Sequence, residues 1–151
     1  MRLLIIRLGR WKVLAPLVSH ETENTNSECC PLSDQLRLFH SGNYRASVAG
    51  LVKLIEICAE KGPRGLSDSL FHLADRTEKI YEFIKGDLRL FCFVGDGAVV
   101  VCSTAAIKKK RTADKQEVSR AVRLKEAYFL AKSSNKIEEI TGDDDELRGV
   151  F

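Results

Sequence analysis

The chain has 151 residues, a net charge of +3 and 44% hydrophobic residues, enough for one domain with a genuine core and too balanced for a polycation. Its five cysteines (29, 30, 58, 92 and 102) form an odd set with no CxxC pair and no histidine at ligand spacing. That argues against a structural zinc or a disulfide framework and fits a reducing cytosol.

The opening MRLLIIRLGRW is broken by Arg2, Arg7 and Arg10. Its apolar run is too short to span a bilayer, and no signal-peptide cleavage region follows. Residues 12–18 read as a strand, with Pro16 near its end or at a sheet edge. Residues 19–30, SHETENTNSECC, have no periodicity and read as a polar loop. Pro31 suits the first turn of a short helix to Phe39.

The strongest helix covers about 44–61, where Tyr44, Val48, Leu51, Val52, Ile55, Cys58 and Ala59 recur at helical spacing. Gly62-Pro63 stops it. Residues 79–85, 88–94 and 98–107 read as strands separated by Gly86-Asp87 and Gly95-Asp96-Gly97. Turns that short leave no room for a crossover, so these neighbours pair antiparallel. In the middle strand Arg89, Phe91 and Phe93 share one face and Leu88, Leu90, Cys92 and Val94 the other. Asp114 and Glu117 make a capping pair for a last helix to about 132, with Val118, Ala121, Leu124, Tyr128 and Ala131 as its core stripe.

Charge is segregated late in the chain. Residues 108–132 hold nine Lys/Arg against three Asp/Glu, and residues 136–151 hold two against six. A basic stripe followed by an acidic segment implies a nucleic-acid or acidic-protein partner. Residues 133–151 read as a flexible acidic tail. The expected architecture is a single α+β domain over 1–151: a small twisted antiparallel sheet, two N-terminal helices on one face and a C-terminal helix beside it.

The chain resembles the RelE/ParE toxin superfamily, in particular its RelE-like and HigB-like phage-derived branch. The residues that carry this are Ile80-Tyr81-Glu82-Phe83, Leu88-Arg89-Leu90-Phe91-Cys92-Phe93, Ile107-Lys108-Lys109-Lys110-Arg111 and the stretch from Glu117 to Lys125. The resemblance covers about 44–130 and implies a RelE-like fold and a metal-free, cofactor-free endoribonuclease. Such a toxin acts in the cytoplasm on messenger RNA, often on the ribosome. It is partnered by a cognate antitoxin, in some cases of helix-turn-helix type.

The chemistry can be stated separately from the likeness. A ribose 2′-OH must lose a proton and attack the adjacent phosphorus while the 5′-oxygen leaves. Fixed cations aimed at the phosphoryl oxygens stabilise that transition state. Arg89 is the expected phosphate clamp, because guanidinium meets phosphate bidentately. Lys108, Lys109 and Arg111 are candidates for phosphate binding or leaving-group stabilisation, and Glu82 for the general base. Lys85, Lys110, Arg120 and Arg123 are expected to contact RNA. Where relatives often carry a His and an aromatic residue, this chain has Thr104 and Ala106. That departure opens a rival reading, a noncatalytic RelE/ParE-like protein that binds nucleic acid, gyrase or an antitoxin. A second rival is a pure protein-interaction module whose basic face docks an acidic helix. Read blandly, Arg89 pairs with a carboxylate such as Glu82, the basic run is a solvated turn, and His20, His40 and His72 are structural or surface residues.

Overall fold

The computed structural model describes residues 1–109 and 114–142. Within them the chain runs β1 (Arg2–Leu8), β2 (Lys12–Pro16), β3 (Val18–Thr22), β4 (Thr25–Cys29), α1 (Pro31–Ser41), α2 (Arg45–Lys61), a 3₁₀ turn (Pro63–Gly65), β5 (Phe71–Asp75), β6 (Ile80–Lys85), β7 (Leu88–Val94), β8 (Val99–Ile107), α3 (Lys115–Ser133) and β9 (Glu138–Thr141). Seven strands form one sheet in the order β5-β6-β7-β8-β2-β1-β9, and β3-β4 form a separate hairpin. No helix among the described residues is long and apolar enough to cross a membrane.

The meander β6-β7-β8 is antiparallel throughout, as its short turns require. Gly86 (φ +58°) and Gly97 (φ +76°) take the left-handed backbone that those tight turns need. Alternation then sorts β7. Leu88, Leu90 and Cys92 enter a core beneath α1 and α2, while Phe91 and Phe93 enter a second core beneath α3. In α2 the helical stripe Val48, Leu51, Ile55, Cys58 and Ala59 is buried. Burying a side chain such as Leu51 or Ile55 contributes about 1.5–3 kcal/mol. Asp114 Oδ1 accepts the Gln116 (2.9 Å) and Glu117 (3.4 Å) backbone N–H groups, so the expected cap fixes where α3 begins.

The expected small antiparallel sheet needs correction: the sheet is mixed and larger. β2 lies parallel to β8, and β1 parallel to β9. Turn length constrains only strands adjacent in sequence, so these long-range pairings left no local signal. α3 covers the face of the sheet opposite α1 and α2. The segment expected as a polar loop at 19–30 is mostly the hairpin β3-β4, whose first strand is exposed at every residue. It buries no apolar face, so no alternation marks it. Arg2 holds it through Nε and Nη2 to the Glu28 carboxylate at 2.6 and 2.9 Å. The expected acidic tail contains β9, tied to the sheet by Arg2–Glu138 (2.6 Å) and Lys12–Glu139 (2.8 Å). Residues 143–151 of that segment lie outside the described residues.

Candidate functional site

An irregularity in β8 decides which side chains meet. Leu90 faces Ala105 and Cys92 faces Cys102, so two steps along β7 match three along β8. The extra residue is a β-bulge between Cys102 and Ala105, and it reverses the alternation beyond it. Cys102 and Ala105 both face α1 and α2, while Ala106 joins the α3 side and pairs with Arg89. Gln35 of α1 fixes the kink. Its Nε2 donates to the Ala105 carbonyl, and its Oε1 accepts the Ala105 N–H at 2.8 Å. Lys108 N–H then donates to the Asp87 carbonyl (2.7 Å), prolonging the ladder past the end of the strand.

Beside this end of the sheet, where α3 starts, is a groove of about 720 Å³. Glu82, Arg89, Lys108 and Lys109 all line it, together with Phe39, Phe91, Asp114 and Lys115. Among the described residues, four cations therefore face two carboxylates. One of these, Asp114, is engaged as the α3 cap.

Arg89 is held in place by its own turn. Its Nη1 donates to the carbonyls of Gly86 (2.7 Å) and Leu88 (3.1 Å). Its Nε–H is buried and has no partner. Among the described residues no carboxylate lies within ion-pair distance of it, so its charge is oriented but not neutralised. Glu82 instead bonds His72. Its Oε1 lies 2.8 Å from His72 Nε2, and the Glu82 side chain is only 6% exposed. His72 Nδ1 lies 3.0 Å from the Asp68 carbonyl.

The other expected residues fall elsewhere. Lys85 lies on the opposite face of the sheet. Its stem fills the space beside α2 where Gly50 has no side chain, and a Cβ there would overlap Lys85 Cε, Cδ and Cγ. Arg120 and Arg123 line a separate shallow recess on α3, and Arg120 Nη1 bonds Glu117 Oε1 at 2.7 Å. Glu117 also accepts the Thr104 hydroxyl. Lys110 and Arg111 lie outside the described residues.

Phe39, His72 and Lys115 were not expected at a site. Lys115 stood inside the basic segment and could have been singled out, whereas Phe39 and His72 reach the groove or its wall only through long-range packing. The cysteines offer no nucleophile in the groove. Burial pushes the Cys58 thiol up to about 12 and raises Cys92 and Cys102 well above the ordinary thiol range, so these remain protonated core groups at neutral pH. Among the described residues no three His, Cys, Asp or Glu side chains come together to hold a metal. No protein-family model matches the chain, and no curated protein is significantly similar to it.

Proposed function

We propose that this chain is an RNA-cleaving toxin of the RelE/ParE kind, with the groove at Arg89, Lys108 and Lys109 taking the scissile phosphodiester. The observation that carries this reading is Arg89, a guanidinium pinned by two carbonyls, with a buried unpartnered Nε–H and, among the described residues, no carboxylate on it. A buried donor left unmade costs about 1–3 kcal/mol, and more when charged. A phosphate in the groove would neutralise the charge of the guanidinium that lines it. Lys108 and Lys109 supply further charge from the same wall.

In the proposed reaction the 2′-OH gives its proton to Glu82 as the O2′–P bond forms. The P–O5′ bond breaks, and the 5′-oxygen takes a proton from a lysine ammonium or water. The products are a 2′,3′-cyclic phosphate and a 5′-hydroxyl. Arg89 and the lysines stabilise the charge that builds on the phosphoryl oxygens. Messenger RNA, presented by the ribosome, is the proposed substrate, the cytoplasm the proposed location and a cognate antitoxin the proposed partner.

Expression of the wild-type chain should arrest growth, and Arg89→Ala should relieve the arrest. Purified wild-type protein should cleave mRNA on ribosomes at least about 100-fold faster than Arg89→Ala. No growth effect together with no cleavage would remove the enzyme proposal.

One observation favours a binding-only reading. The Thr104 hydroxyl is donated to Glu117, and position 106 offers only a methyl group. Neither position supplies acid–base chemistry, which then rests on Glu82. RNA binding that weakens steeply with salt, without cleavage, would select this alternative.

A further inference from the structure

His72 and Glu82 form a cross-strand pair between β5 and β6. The two ends of this pair see different surroundings. The Glu82 side chain is 6% exposed and lines the groove, whereas the His72 side chain is 44% exposed. The hydrogen bonds restrict where protons sit. A backbone carbonyl can only accept, so the contact with Asp68 requires a hydrogen on His72 Nδ1. His72 Nε2 then faces Glu82 Oε1 at 2.8 Å. A lone pair against a carboxylate is repulsive, so both contacts hold together only when one further proton lies between the ring and the carboxyl group.

With that proton the pair is neutral. Without it, Glu82 presents an unneutralised negative charge to the groove. Among the described residues, the other charged groups lining the groove with Glu82 are Arg89 on β7, Lys108 and Lys109 beyond β8, and Asp114 and Lys115 at the start of α3. On the His72 side, Arg64, Asp68, Arg76 and Tyr81 share its recess. Asp114 already accepts the first N–H groups of α3. Glu82 is therefore the groove carboxylate whose partner is a histidine.

We propose that His72 positions Glu82 and holds a proton with it, so that a phosphate-bearing strand binds the groove more tightly when the pair keeps that proton. This rests on the polyanion reading of the groove given above. By linkage, a bound anion strengthens the pair's hold on its proton by the same factor. As pH rises the proton leaves, a negative charge faces the incoming phosphate, and binding weakens. His72 acts through Glu82, and no direct contact with substrate is required of it.

The test uses a single-stranded 2′-O-methyl oligoribonucleotide, which cannot undergo 2′-OH attack, at constant ionic strength. Its affinity for the wild-type protein is expected to fall by about tenfold from about pH 5.5 to about pH 8, the range in which imidazole titrates. Glu82→Gln, which keeps the shape and cannot ionise, should lose most of that fall. A flat wild-type profile, or the same fall in Glu82→Gln, overturns the proposal. In parallel, nitrogen NMR of the His72 ring reads the shared proton with no ligand present. In Glu82→Gln the pH profile of the ring's nitrogen signals should change, because the carboxylate that shares the proton is gone. An unchanged profile overturns the proton sharing. Coupled titration with no oligonucleotide binding at any pH overturns the linkage and the polyanion reading together, while leaving the pair itself intact.

Discussion

The two faces of β7 are built from one alternating run and end in different chemistry. On one face Leu88, Leu90 and Cys92 are sealed beneath α1 and α2 and are wholly buried. On the other, α3 covers Phe91 and Phe93 but begins only at Lys115, so Arg89 and Glu82 stand at an open groove. The sealed face is about stability. The face whose covering helix begins late is the one that holds fixed charge beside free space. The lesson is that the capped start of α3 and the bulge in β8 together make the site. The cap stops the helix short of Arg89, and the bulge turns Ala106 toward it.

The contrast can be broken at several points. On the sealed face, Leu90→Ala should cost about 2–5 kcal/mol in urea unfolding, because it removes buried methyl groups and leaves a cavity. Arg89→Ala, on the open face, should stay within about 1 kcal/mol of wild type in the same measurement while losing the function proposed above. Equal destabilisation by both would mean that the two faces are alike. A double Lys108→Ala, Lys109→Ala variant should bind the 2′-O-methyl strand about tenfold more weakly and reduce its salt slope by about 1.4, since each lysine neutralises one phosphate of a single strand. Arg120→Ala with Arg123→Ala should change that slope little, because those side chains line a different recess.

Smaller still is the effect of Thr104→Val. It removes a hydroxyl donated to Glu117 and should cost about 0.5–1.5 kcal/mol in unfolding. The smallest expected effect is confined to the hairpin. The Arg2 guanidinium holds the Glu28 carboxyl below the ordinary carboxylate range. A depressed carboxylate contributes its tether at pH values above its unfolded range and loses it as pH falls through the folded one. Amide shifts of residues 18–29 should therefore move at acid pH in wild type, and already resemble the acid form at neutral pH in Glu28→Gln.

Much of this layout could be read in the sequence wherever a local rule applied. The stripe in α2, the Asp114 cap and the Gly86 and Gly97 turns each gave an element whose bounds the structure reproduces closely. The two faces of β7 followed from alternation alone. The parallel pairings of β2 with β8 and β1 with β9 did not, because neither pair is joined by a short connection. The hairpin β3-β4 left no local signal because it buries no apolar face. Of the expected site residues, Glu82, Arg89, Lys108 and Lys109 meet in one groove, while Lys85, Arg120 and Arg123 do not join them. Lys85 shows the limit plainly: alternation put it on the Phe83 face, which is the face away from Arg89. His72 was legible only as a scattered histidine, since its partner sits ten residues away on the next strand.

The central claim is that Arg89 and the lysines beyond β8 form one receptor for a phosphodiester. A crystal structure of the protein with the 2′-O-methyl oligoribonucleotide tests it most directly. The account predicts a phosphate within hydrogen-bond distance of the Arg89 guanidinium, with Lys108 or Lys109 on the same group. A strand bound along Arg120 and Arg123, with the groove empty, would contradict it.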